Sequence, residues 1–291
     1  MGNMTLPLVV GVDGSDSCLR AVDWAVAEAA RHGLPLRLVY GSLWERYEGG
    51  LPPVGHERSS EQVLAEHIVA AAADRAARRD TEVEVMTDIL PEDAADALVR
   101  AGDHAFALVT GSRGRGRLQG MLLGSVGLAV AARAPCPVVV VRGDPAGLAG
   151  THERILLGLG DAETGAEAVR FAFHEAEVRG CVLDVVRAWR RPAHDRIGAR
   201  AATADAHAER ASVLLDDLLG DAVTAYPHVR TCRAALEGMA GRILVDRSAA
   251  ADLVIVGAGH RAGLLGLQLG RVSHTLLHHA SCPVAVVPQR H

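Results

Sequence analysis

The sequence predicts an α/β protein made of two tandem, doubly wound domains, each with a five-stranded parallel sheet. Two observations carry this. Landmarks recur at a nearly constant separation of about 146 residues, far longer than a solenoid period. Gly11 matches Gly158, Leu90 matches Leu236, Leu98 matches Leu244, Gly111 matches Gly257, Gly124 matches Gly270, and Cys136-Pro137-Val138 matches Cys282-Pro283-Val284. Within each copy, short apolar runs alternate with segments of helical spacing, the pattern of parallel strands joined by helical crossovers.

The elements follow in order. Leu8 to Val12 is an apolar run that ends at Asp13-Gly14-Ser15, and Ala21, Val22, Ala25, Val26 and Ala29 then recur at helical spacing. Leu36 to Tyr40 reads as the second strand, Glu61 to Ala77 as a helix and Val83 to Thr87 as the third strand. Pro91 is placed in the first turn of a helix running to about Ala101, where its missing N–H is harmless. Ala105 to Thr110 is the fourth strand, Ser125 to Arg133 the last helix and Pro137 to Arg142 the fifth strand. The same order repeats from Arg154 to Pro288. This sets a first domain at residues 1–144 and a second at 153–291, joined where Gly143-Asp144-Pro145 and Gly147 interrupt the apolar pattern. Trp24 and Phe171 fall at equivalent helix positions and are expected in the cores.

Composition fits a globular chain, with 49% hydrophobic and 22% charged residues. A formal net charge of −5 gives no basic footprint for nucleic acid. No run reaches the about 18 apolar residues of a membrane span, and Met1 to Pro7 lacks a signal-peptide pattern, so a cytoplasmic location is expected. The five cysteines include no C-x-x-C pair, and Cys136 and Cys282 share one repeat position, which reads as buried reduced thiols.

Chemistry concentrates in one loop. Gly111-Ser112-Arg113-Gly114, nine residues, then Gly124-Ser125 has the spacing of a phosphate cradle. Glycines 111, 114 and 124 allow close backbone approach and positive φ angles. Ser125 is expected to cap a helix whose first-turn N–H groups and dipole favour an anion. Arg113, Arg115 and Arg117 add positive charge. Taken alone, the loop also reads as a plain turn followed by a helix cap. In a doubly wound sheet, ligands bind beyond the carboxyl ends of the strands where strand order reverses. If strands one and four are neighbours, Asp13 and this loop share a crevice.

The run Val9-Val10-Gly11-Val12-Asp13-Gly14-Ser15, the Gly-x2-Gly-x9-Gly-Ser motif at 111–125 and the closing Cys136-Pro137-Val138-Val139-Val140 make the chain resemble the universal stress protein family over nearly its full length. The resemblance implies an adenine nucleotide alpha hydrolase-like fold with strand order 3-2-1-4-5 and ATP, with or without Mg, as cofactor. It also implies pairing through the fifth strands, here Pro137 to Val141 with Pro283 to Val287 in one chain or in a homodimer. By position it assigns Gly11, Val12 and Asp13 to the adenosine part. Gly111, Arg113, Gly114, Gly124, Ser125 and Val126 fall to ribose and phosphates, and Val39 and Gly41 to the base.

The second copy departs from this pattern. Gly160 stands opposite Asp13, with Asp161 shifted by one; His260 replaces Gly114, and Arg271 replaces Ser125. A structural role is expected for it. His274 and His278 have the i, i+4 spacing of metal ligands, but no carboxylate or thiolate run completes a set, so no metal is expected. Asp13 to Ser17 is similar to the ATP pyrophosphatase loop but lacks the leading Ser-Gly-Gly. Trp44 and Trp189 follow the second strands and border either the adenine pocket or the domain interface. Glu45 to Ser60 reads as a loop near the crevice.

No Lys follows the glycines as in a P-loop, and Gln119 is the loop's only neutral polar candidate for orienting water. The expected function is therefore an ATP-binding, nucleotide-responsive stress module and not an enzyme. The alternatives are a slow ATPase or autophosphorylating protein, a cyclic-AMP-binding protein and a non-binding scaffold of the same fold.

Overall fold

The structure is a computed structural model that describes residues 5–43, 60–114, 123–160, 165–190, 201–258 and 269–289, residues 201–206 by their backbone alone. It divides into two compact units, Met1–Val141 and Arg142–His291.

The first unit contains β1 (Leu8–Gly11), α1 (Asp16–His32), β2 (Leu36–Gly41), α2 (Ser60–Arg79), β3 (Val85–Leu90), α3 (Ala94–Ala101), β4 (Ala107–Gly111), α4 (Ser125–Arg133) and β5 (Val138–Val141). All strand pairs are parallel and give the order 3-2-1-4-5. Strands β1, β4 and β5 are continuous apolar runs because helices cover both of their faces: α1 packs with α2, and α3 with α4. Ser15 caps α1 by accepting the Cys18 N–H, and Gly33, at φ 63°, closes it with N–H bonds to the carbonyls of Ala29 and Ala30.

The second unit contains α5 (Pro145–Ala149), β6 (Arg154–Leu159), α6 (Ala166–Arg179), β7 (Val182–Trp189), α7 (Ala201–Ala225), β8 (Thr231–Glu237), α8 (Ala240–Ser248), β9 (Leu253–Gly257), α9 (Arg271–His279) and β10 (Val284–Val287). Its strands pair in parallel as 8-7-6-9-10, the same topology. Gly180, at φ 63°, ends α6 as Gly33 ends α1. The stretch that interrupts the apolar pattern after β5 packs on this unit. Arg142 donates to the carbonyls of Leu276 (2.8 Å) and His278 (2.7 Å) at the end of α9. The Asp144 N–H bonds the Ser281 carbonyl at 3.0 Å, and its side chain caps α5 through Gly147.

Four expectations shift in detail. The third strand occupies Val85–Leu90, two to three residues later than the apolar pattern suggests, because Val83 is buried ahead of the strand. Pro91 precedes α3 instead of opening it; Asp93 is the cap and accepts the Ala95 N–H at 2.9 Å. Phe171 is only partly buried, and the fully buried aromatic of α6 is Phe173. The cap of α4 is Gly124, so Ser125 is the first helical residue and not the capping one.

Candidate functional site

Strands β1 and β4 are direct neighbours, with Leu8 opposite Ala107 and Val10 opposite Val109. The chain therefore moves outward on both sides of this pair, and the crevice beyond their carboxyl ends is a topological switch point. Asp13 stands at its edge. The Asp13 Oδ1 accepts from the Ser15 N–H at 3.0 Å and the Ser15 hydroxyl at 2.7 Å, around Gly14 at φ 76°, a left-handed turn position suited to glycine. The Asp13 N–H in turn points at the Cys18 sulfur, 3.4 Å away.

The glycine loop faces this turn. A Cβ on Gly114 would lie 2.8 Å from Asp13 Oδ2, so the carboxylate rests against the Gly114 backbone. On Gly111, a Cβ would come within 2.7 Å of the Ser17 backbone, because the first turn of α1 crosses the end of β4 there. Gly124 meets nothing nearer than the Gly114 nitrogen at 3.5 Å. None of the three has a positive φ, and that of Gly124 is −74°; their glycine character acts through space and not through conformation. The Gly124 N–H donates to the Ser112 carbonyl at 2.9 Å, which brings the two ends of the motif together. The first bond of α4 runs from Leu128 to the Gly124 carbonyl, leaving the N–H groups of Ser125, Val126 and Gly127 without intrahelical partners. Arg113, Gly114 and Ser125 are exposed, and Val126 is partly so.

The remaining predicted residues have mainly structural surroundings. A Cβ on Gly11 would strike Leu98 at 2.6 Å, and one on Gly41 would strike the Ala94 backbone at 2.7 Å, so both glycines admit α3 onto the sheet. Val12 and Val39 are 5% and 1% exposed, joined by a 2.9 Å bond from the Val12 N–H to the Val39 carbonyl. Sequence reasoning overlooked two buried serines: the Ser17 hydroxyl accepts the Arg113 N–H at 3.1 Å and lies 3.4 Å from the Ser112 hydroxyl.

In the second unit the corresponding place, beyond β6 and β9, is furnished differently. Gly160 is exposed, and its carbonyl is held by the Arg187 guanidinium. Arg271, exposed, opens α9 behind Gly270. Trp189 stacks on His207 within this unit, ring centroids 5.9 Å apart. His274 and His278 lie 4.4 Å apart by ring centroid, and His278 titrates below the usual histidine range because of burial and the neighbouring His274, His279 and Arg142. Trp44, Arg115, Arg117, Gln119, Asp161, His260 and the segment 45–59 lie outside the described residues. Cys18, Cys136, Cys181 and Cys282 are buried, whereas Cys232 is exposed. No described helix is long and apolar enough to cross a membrane.

The model of the universal stress protein family matches residues 4–142 and again 151–288. A universal stress protein of Mycobacterium tuberculosis is 32% identical, covering 97% of each chain. A crystal structure of a universal stress protein from Archaeoglobus fulgidus superposes with a TM-score of 0.71 at 15% identity, over 99% of this chain and 100% of its own, a likeness of fold. A universal stress protein solved in complex with cAMP matches 47% of this chain and 97% of its own at 32% identity, with a TM-score of 0.36.

Proposed function

This chain belongs to the universal stress protein family in both of its halves, and on that premise we propose that it is a nucleotide-responsive regulatory module whose first domain binds ATP and whose second serves as a structural partner. The observation that carries the reading is the crevice between β1 and β4. There Asp13 lies against Gly114, Gly114 lies beside Gly124, and Gly124 caps α4, whose first-turn N–H groups have no intrahelical partner. Amides at a helix start suit phosphate oxygens, since they carry partial positive charge without a bulky side chain. The backbone of Gly11, Val12, Val39 and Gly41 would border the adenosine, while Gly111, Arg113, Gly114, Gly124, Ser125 and Val126 would surround ribose and phosphates.

Asp13 fits a Mg companion to the triphosphate, because its Oδ2 lies against Gly114 and is an oxygen ligand of the type Mg takes. Ligand occupancy would bias assembly, including pairing through β5 and β10 or in a homodimer.

The second domain offers a carbonyl under Arg187 where the first offers Asp13, and Arg271 where the first offers Ser125. The expected stoichiometry is therefore one nucleotide per chain. Denaturing the purified protein and quantifying released small molecules by mass spectrometry, before and after equilibration with millimolar ATP, checks this. Two nucleotides per chain, or none at saturating ATP, would overturn it.

A further inference from the structure

We propose that Ser17 is a positioning residue for the phosphate end of the first-domain site, acting through the single peptide unit between Ser112 and Arg113. The inference rests on the nucleotide reading above, and it names a residue that does not itself meet the ligand. The N–H of that peptide, carried by Arg113, donates to the Ser17 hydroxyl at 3.1 Å. Its carbonyl, carried by Ser112, accepts the Gly124 N–H at 2.9 Å. A trans peptide is planar and carries its N–H and C=O on opposite sides. One rigid plate thus spans from the first turn of α1 to the cap residue of α4, and rotating it breaks both bonds together.

The α1 end of this bracket is fixed. Ser17 is 5% exposed and Ser112 9%, so water has little room to replace a lost partner. Ser17 is also pressed against β4, since a Cβ on Gly111 would lie 2.7 Å from the Ser17 carbonyl carbon and hydroxyl. The α4 end is where orientation matters, because Gly124 immediately precedes the Ser125 and Val126 amides. The Ser15 hydroxyl approaches the Arg113 carbonyl at 3.3 Å, but that carbonyl belongs to the next peptide unit, and the one Ser15 proton has a stronger acceptor in Asp13 at 2.7 Å. Ser17 therefore holds the plate, and through it the spacing between Gly114 and the mouth of α4. The main chains that border the adenosine in that reading, Gly11 and Val12 at the end of β1 and Val39 and Gly41 on β2, make neither bond of this plate.

The test is Ser17→Ala in the full chain, with calorimetric titration of ATP and of adenosine and amide hydrogen exchange at Arg113 and Gly124. ATP affinity should fall about tenfold, the scale of one hydrogen bond, while adenosine affinity stays unchanged. Exchange at Gly124 should accelerate alongside that at Arg113. Equal losses for ATP and adenosine, or unchanged ATP affinity, would overturn the role of Ser17. If the unmodified protein binds neither ligand, the nucleotide reading itself fails, and unchanged Gly124 exchange in the variant then overturns the bracket independently. Should the alanine variant not fold, Ser17→Cys, with similar volume and a weak acceptor, should give the same pattern.

Discussion

The two halves share their packing and differ in their crevices. Gly11 leaves room for Leu98 in the first unit as Gly158 does for Leu244 in the second, each with a would-be Cβ 2.6 Å from the leucine. The main-chain bond at the end of the fourth strand also recurs, from Ser112 to the Val141 carbonyl and from Ala258 to the Val287 carbonyl. Beyond the strand ends the likeness stops: Asp13 with its serine turn faces Gly114 on one side, while Arg187 holds a bare carbonyl on the other. The fold needs the shared contacts to exist at all, so duplication preserves them. Asp13, Gly114 and Ser125, where the halves differ, are exposed or partly so and contribute less to packing, so they are free to diverge.

The strongest challenge to this division is to empty the shared contact. Leu98→Ala and Leu244→Ala each remove a leucine that is 3% exposed, and each should cost about 3 kcal/mol in its own domain. Domain-resolved hydrogen exchange under denaturant reads both losses. A loss confined to one variant would show that the halves do not share a packing template.

A smaller effect tests the divergent part. Asp13→Ala should weaken ATP binding by roughly ten- to a hundredfold, the range for a hydrogen bond to a charged group, whereas Arg187→Ala should leave it unchanged. Equal effects in a binding titration would place the working site in both halves or in the other one.

Much of this was legible in the sequence because parallel strands buried on both faces read as unbroken apolar runs, as in Val138–Val141 and Val284–Val287. The edge strand β3 was misplaced for the same reason in reverse: Met86 and Thr87 are exposed, so its pattern is diluted. Pro91 misled because the Asp93 side chain satisfies a donor that a proline never could. At the site, Asp13 and the Gly111–Gly114 loop could be placed from the rule of the switch point. Ser17 could not, since a serine at the start of a helix looks like a local cap and its partner is 96 residues away in the chain. The glycines misled in a different way. Spacing says that a side chain is unwanted, but only coordinates distinguish a crowded neighbour from a left-handed turn.

The smallest expected effect concerns acid. His278 has a folded-state pKa below its ordinary value, caused by burial and then by His274, His279 and Arg142, and Ala132 stands at the matching place in the first half. The unfolded chain therefore takes up a proton first as the pH falls through about 6.5, and stability is lost from there down to the lowered folded value. The second domain should lose thermal stability between pH 7 and 5 more than the first, and His278→Gln should reduce the difference. Parallel melting curves at each pH for the two domains would refute this asymmetry.

The grip of Arg142 on the last carbonyls of α9 fixes where scissors should fall. A fragment that begins at Glu153 discards that guanidinium and the Asp144 bond to Ser281, leaving the end of α9 frayed. A cut made directly after Val141 hands both to the carboxyl-terminal piece, so dissection of the gene belongs at that junction and not in the glycine-rich stretch that follows.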